Sequence, residues 1–240
     1  MGKKMQSVIF KDRIDAANEL VKSLKRLRGD EEVQLEDKVQ KNQSTAVVMA
    51  IPRGGIIIGD VIASELGAKL DVVVSRKIGA PFNPELAIGA VMPDGSYFLN
   101  EVAYTINVPQ DYIKSQIDKE VKEIERRLIT FRGSKDYDNE LEGKMVILVD
   151  DGIATGATII ASARWIKDKH NCKQLVIAVP VAPRDILEDL NHISDKVIVL
   201  YTPEPFGAVG RFYQDFAQVS DDEVKEIMKK YGYNIPHNRE

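Results

Sequence analysis

The sequence predicts an α/β protein built on a doubly wound, mostly parallel sheet. Three observations point there. Short runs rich in Val, Ile and Ala recur at strand length: Thr45 to Ile51, Asp71 to Ser75, Met145 to Val149, Leu175 to Val181 and Lys196 to Tyr201. Segments of helical pattern separate most of them, and an alternation of strand and helix implies parallel strands joined by crossovers. Charged residues gather just after three of these runs: Arg53, the pair Arg76 and Lys77, and the pair Asp150 and Asp151. Open α/β sheets bind ligands at the carboxyl ends of their strands.

Taken in order, residues 9–28 read as an amphipathic helix. Phe10, Ile14, Ala17, Val21 and Leu24 recur at three- and four-residue spacing, and Gly29 is a stop. Residues 29–44 are polar without a sustained period and read as a connector. The strand ending at Ile51 runs into Pro52-Arg53-Gly54-Gly55, and Ile56 to Leu66 follows as a helix stopped at Gly67. On the residues alone this corner is equally a tight turn with an exposed arginine or an anion-ready loop. Arg76 and Lys77 end the next strand, as solvated cations or as anion contacts. Two prolines and two glycines between Gly79 and Val91 argue for irregular structure, with Glu85 as its one carboxylate. Gly89 to Val91 and Tyr97 to Leu99 flank the turn signal Pro93-Asp94-Gly95 and read as a hairpin.

Residues 109–131 form a second amphipathic helix, with Ile113, Ile117, Val121, Ile124, Leu128 and Phe131 on its apolar face. Asp118 with Lys122 and Glu123 with Arg127 are i,i+4 pairs on its polar side. This helix is expected to pack against the helix at 9–28 or to form a dimer surface. Residues 132–143 are a polar loop. After the central strand, Ile159 to Lys169 continues as a helix, Arg184 to Leu190 as a short one, and Asp221 to Lys230 as the last. Residues 202–219 are a loop with Phe206, Phe212, Tyr213 and Phe216, where an aromatic can stack on a planar ligand or plug the core.

The chemistry is densest in MVILVDDGIATGATIIAS, residues 145–162. An apolar strand delivers Asp150 and Asp151. The loop Gly152, Ile153, Ala154, Thr155, Gly156, Ala157, Thr158 then enters a helix. Small residues let backbone N–H groups approach a ligand, and a helix N-terminus favours an anion. The carboxylates would repel a phosphate but suit hydroxyl groups or Mg²⁺. A phosphate, vicinal hydroxyls and a metal together describe a ribose phosphate.

Composition sets the frame. The chain has 240 residues and a formal net charge of −4, so no global field favours nucleic acid. One cysteine, Cys172, excludes an intrachain disulfide, and the three histidines show no zinc-site spacing. No apolar stretch approaches the ~20 residues of a membrane span. A cytoplasmic protein without nucleic-acid or membrane partners is expected.

VILVDDGIATGAT resembles the phosphoribosyl-diphosphate (PRPP) motif of the type I phosphoribosyltransferases, and IPRGG resembles their pyrophosphate loop. The likeness spans roughly residues 45–219, with the helix at 109–131 as an insertion and 202–219 as the family's hood. Residues 1–44 and 220–240 then flank this domain as helix-bearing extensions. The order RGG, SRKIGAP, NPE is similar to poorly characterised bacterial and archaeal members. The resemblance implies transfer of 5-phosphoribosyl from Mg²⁺-PRPP to a nitrogen nucleophile, expected to be a nucleobase, with release of pyrophosphate. It places the chain in nucleotide metabolism.

It further implies roles. Residues 152–158 would hold the 5-phosphate, and Asp150 and Asp151 would bind ribose hydroxyls directly or through Mg²⁺. Arg53, Gly54, Gly55, Arg76 and Lys77 would face the diphosphate. The stretch 79–91 would close over the site, with Glu85 toward the nucleophile or toward solvent. Phe206 and Asp215 would meet the acceptor. In many members a non-proline cis peptide lies in the pyrophosphate loop, and the bond preceding Arg53 is its counterpart. Ala154 replaces the acidic general base of the 6-oxopurine enzymes, although adenine and uracil enzymes also carry alanine there. A PRPP- or nucleotide-sensing regulator without turnover is the alternative.

Overall fold

The structure is a computed structural model that describes residues 8–29, 46–137 and 140–235. Five parallel strands form the main sheet: β1 (Ala46–Ala50), β2 (Lys69–Val72), β6 (Met145–Val149), β7 (Gln174–Val181) and β8 (Lys196–Tyr201), in the order β2-β1-β6-β7-β8. All of β1 and β6 is buried, which explains their unbroken apolar sequence. The strand order reverses between β1 and β6. The two richest loops therefore leave adjacent strands at the switch point of the sheet, where doubly wound folds bind ligands.

Helices α1 (Arg13–Gly29) and α2 (Gly55–Leu66) pack on one another, and α1 also covers β7 and β8. Helix α5 (Ala157–His170) packs on β7 and on α6 (Leu187–Ile193), which follows a short 3₁₀ turn at Arg184–Ile186. Helix α1 starts later than residue 9 because the Asp12 carboxylate accepts from the Asp15 amide at 2.8 Å and caps it. Phe10 is instead fully buried and pairs with Tyr213, its backbone joined to the segment 212–214. Ala17, Val21 and Leu24 are buried as expected, but Ile14 is 53% exposed. Apart from Gly29, the polar connector expected at 29–44 lies outside the described residues.

The stretch 79–91 departs from expectation. It forms strands, β3 (Arg76–Ala80) and β4 (Asn83–Val91), which join β5 (Tyr97–Leu99) in an antiparallel sheet β3-β4-β5. The glycine and prolines that suggest irregularity sit at its turn and its bulge. Pro81 opens the turn, and the register shifts on both sides of Gly79, which pairs with Ala87. Alternate side chains Ile78, Ala80, Ile88 and Ala90 are buried. Arg76 and Lys77 consequently begin β3, four residues beyond β2, rather than end a strand of the main sheet. The hairpin expected at 89–99 pairs Gly89 with Leu99 and Val91 with Tyr97.

Beyond β5 lies a short α3 (Glu101–Thr105). Helix α4 (Gln110–Arg132) then buries Ile113, Ile124, Leu128 and Phe131. It packs on β2, β3, β4 and on α7 (Asp221–Lys230). Glu123 pairs with Arg127 at 2.8 Å and also with Arg126. Among the described residues no helix is long and apolar enough to cross a membrane.

Candidate functional site

The loops after β1 and β6 meet as one corner. The Pro52–Arg53 peptide is cis. Gly54 lies against the Asp151 carboxylate so closely that a Cβ there would overlap it, and a Cβ on Gly55 would stand 3.0 Å from the Asp150 Cα. Only glycine lets the two loops approach this far.

After the carboxylates, Gly152 and Ile153 are buried while Ala154 and Thr155 are exposed. The Ile153 amide donates to the Val181 carbonyl at 2.9 Å, so the loop's free amides begin beyond it. Gly156 caps α5 at φ +78°, and a Cβ would strike Ile186. That cap has no side-chain hydrogen bond and the first turn has no acidic residue, which leaves it suited to an anion. Beside it lies an open cavity of about 460 Å³ lined by Ala154, Arg184, Asp185, Glu204, Phe206 and others of the 183–207 segment.

The carboxylates occupy different environments. An Asp150 oxygen accepts from the Asp151 amide at 2.8 Å. Burial pushes Asp150 well above the usual carboxylate range, and the neighbouring Asp151 pushes it further. Burial raises Asp151 too, while Arg13 pulls it back. Arg13 Nε donates to Asp151 Oδ2 at 2.8 Å, and the Tyr213 hydroxyl donates to the Asp151 carbonyl at 2.6 Å. Among the described residues no group of three or more His, Cys, Asp or Glu could hold a metal ion. The donor set fits a Mg²⁺ arriving with phosphates and water, which takes only one or two protein carboxylates.

The cations are each engaged by carboxylates. Arg53 reaches Asp221 at 3.4 Å, Lys77 reaches Glu85 at 3.4 Å, and Arg76 Nε donates to Glu120 Oε2 at 2.7 Å. The Glu85 side chain is 94% exposed, near the hairpin tip where Phe82 is also bare. Phe206 packs on Phe212 at 5.1 Å and lines the cavity beside Ala154. Asp215 is exposed and accepts from the Ala217 amide in a local turn. Arg13, Glu120 and Asp221 join the site without any local sequence signal, and Tyr213, one of the clustered aromatics, joins through its hydroxyl. Their contacts bridge segments remote in sequence, and Arg13 and Asp151 are 138 residues apart.

A family model described as phosphoribosyl transferase domain matches residues 82–204. Two Mycobacterium tuberculosis proteins, from strains CDC 1551 and H37Rv, are named provisionally as phosphoribosyl transferases. Each is 38% identical over 223 residues, covering 92% of this chain and 47% of theirs. The chain thus spans about half the length of these curated relatives. The crystal structure of TT1426 from Thermus thermophilus is 33% identical, with a TM-score of 0.73 over 93% of this chain and 99% of that one. The matched segment holds β6, its two carboxylates and the loop into α5, and with these likenesses the chain belongs to the phosphoribosyl transferase domain family.

Proposed function

We propose that the chain transfers 5-phosphoribosyl from Mg²⁺-PRPP to a nitrogen nucleophile, a nucleobase being the leading class, with release of pyrophosphate. The observation that carries this reading is the single corner made by Gly54, Gly55, Asp150 and Asp151 at the switch point. In this reading residues 45–219 are the transferase domain, and the segments before and after it complete its walls. The amides beyond Ile153 hold the 5-phosphate, with Thr155 and Thr158 as hydroxyl donors. Asp150 and Asp151 take the ribose hydroxyls. When bound, Mg²⁺ would be held by Asp150 or Asp151 together with the substrate and would offset the charge of the diphosphate. The nucleophile's nitrogen attacks C1 as the C1–O bond to pyrophosphate breaks, and Arg53, Arg76 and Lys77 offset the charge that develops on the leaving group. To do so, each must exchange a carboxylate partner for a phosphate.

The test is pyrophosphate release from Mg²⁺-PRPP with a panel of bases and amines. Release with at least one acceptor, and its loss in Asp151→Asn, are expected. Unchanged PRPP affinity in Asp151→Asn would remove the site assignment. A second reading, a PRPP or nucleotide sensor without turnover, draws on Ala154 in place of a base and on the prior pairing of all three cations. It predicts tight PRPP binding with no release for any acceptor.

A further inference from the structure

Arg13 lies before the segment matched by the family, on the first turn of α1, and its guanidinium donates at the site from two of its nitrogens. Nε donates to Asp151 Oδ2 at 2.8 Å and Nη1 to the Ala217 carbonyl at 2.8 Å. The guanidinium carbon stands 3.8 Å from the centre of the Phe216 ring. Phe216 in turn stacks on Tyr213, whose hydroxyl holds the Asp151 backbone. The Arg13 side chain is 11% exposed and that of Asp151 14%. A Cβ on Gly54 would overlap the same carboxylate oxygen, so the Gly54 backbone lies close to it.

This geometry bears on how the two carboxylates divide their work. A Mg²⁺ binds an oxygen at about 2.0–2.1 Å and needs near-octahedral room around it. On Asp151 Oδ2 it would stand beside the Arg13 charge and against the Gly54 backbone, and like charges at that range repel strongly. A ribose hydroxyl carries no such charge and can donate to the remaining lone pairs. Among the described residues no arginine donates a hydrogen bond to Asp150, on which Arg13 acts only through space. We propose that Arg13 is a positioning residue of the phosphoribosyl site that commits Asp151 to hydroxyl recognition and keeps divalent metal off it, leaving Asp150 as the carboxylate open to a cation. Arg13 then offsets the charge of one of the two carboxylates that the corner presents to a polyanionic substrate.

The substrate part of this inference rests on the PRPP reading above; the metal part does not. Mn²⁺, a paramagnetic stand-in for Mg²⁺, is titrated into the full chain without PRPP, and bound ion is read by electron paramagnetic resonance. Arg13→Gln is expected to tighten Mn²⁺ binding about fivefold or more, and Arg13→Gln with Asp151→Asn to return it to the wild-type level. Arg13→Lys, which restores the charge, is expected to restore exclusion of the ion. Mg²⁺-PRPP affinity is then measured by calorimetry. Arg13→Gln is expected to weaken it about tenfold, and the double variant to be no weaker than Asp151→Asn alone, because Arg13 acts through Asp151. Mn²⁺ binding unchanged in Arg13→Gln, or PRPP losses that multiply in the double variant, would overturn the proposal. Circular dichroism checks folding. If Arg13→Gln does not fold, Phe216→Leu takes its place: it removes the ring beneath the guanidinium and must at least double Mn²⁺ affinity, no change counting against the proposal. A wild-type chain that binds no PRPP would defeat the functional reading, while the Mn²⁺ comparison would still decide the role of Arg13.

Discussion

Arg76, at the start of β3, donates from Nε to Oε2 of Glu120 at 2.7 Å, and Glu120 is a buried carboxylate on α4. Helix α4 thereby holds one of the cations proposed to meet the diphosphate. Removing Arg76 has two separable effects. Arg76→Ala leaves Glu120 buried without its close partner, a loss of about 1–3 kcal/mol in unfolding free energy. It also removes a charge-assisted contact to pyrophosphate, expected to weaken binding by roughly 10- to 100-fold, from about 1.5–3 kcal/mol. Arg76→Ala with Glu120→Gln should regain most of the stability and none of the affinity. Urea unfolding and pyrophosphate titration of both variants measure the two effects. Recovery of affinity in the double variant would show that Arg76 only braces α4.

A second buried carboxylate is held from the other end of α4. Arg132 Nε donates to Asp71 Oδ1 at 2.6 Å and Nη2 to Oδ2 at 2.9 Å, with both side chains buried. Burial pushes the Asp71 carboxyl up and Arg132 pulls it back. Burial also opposes the charge on Arg132, where the hydrogen bonds to Asp71 and the Asp71 charge together outweigh it. The two-point geometry is that of an ion pair. Arg132 also donates to the carbonyls of Ser134 and Asp136 and lies over the Tyr137 ring. Arg132→Met should cost about 3–5 kcal/mol, the range for a buried pair stripped of one partner. Asp71→Asn combined with Arg132→Met should recover part of it. A loss below about 1 kcal/mol in urea unfolding would mean that water reaches Asp71 and solvates it.

These two pairs show where sequence reading reached its limit. Met145–Val149 and Leu175–Val181 were legible because a strand buried on both faces needs an unbroken apolar run. The apolar stripe of α4 was legible because its period is set by the helix itself. Glu120 and Arg132 lie in that same helix, but a charged residue beside an apolar stripe reads as solvated until its partner from another segment is placed. Arg13 is hidden for the same reason. At the candidate site, Gly54, Gly55, Asp150 and Asp151 were legible because the chemistry there is local to two loops. The hairpin at 76–91 was misread because glycine and proline mark a bulge and a turn as readily as a loop.

The close approach of the two loops gives a third prediction. Gly54 has φ −58°, so alanine there is free of backbone strain. Its Cβ would nonetheless overlap the Asp151 carboxylate and come within 3.2 Å of Arg13 Nε. Asp151 is held by Arg13 and has little freedom to retreat. Gly54→Ala should therefore weaken Mg²⁺-PRPP binding at least tenfold, about 1.4 kcal/mol or more. Calorimetric titration checks this. Wild-type affinity in Gly54→Ala would mean that the two loops can part without harm to the site.

The polar side of α4 gives a pH dependence. Hydrogen bonds from Arg126 and Arg127 hold Glu123 down at about 2, against an ordinary value of 4.5. A carboxylate whose pKa is lower in the folded chain stabilises the fold while it is ionised there. That contribution is complete above the unfolded value and disappears as pH falls from about 4.5 to about 2. Its size is limited because the group is partly exposed, its side chain 29% accessible, and helix-surface pairs contribute about 0.3–0.5 kcal/mol each. Glu123→Gln should therefore lower the unfolding free energy by under about 1 kcal/mol at pH 6, and by nothing near pH 2. The difference should shrink further in high salt, where exposed pairs are screened. Urea unfolding of both chains across this pH range measures it. A difference that persists unchanged to pH 2 would assign the effect to packing of the side chain on α4 rather than to its charge.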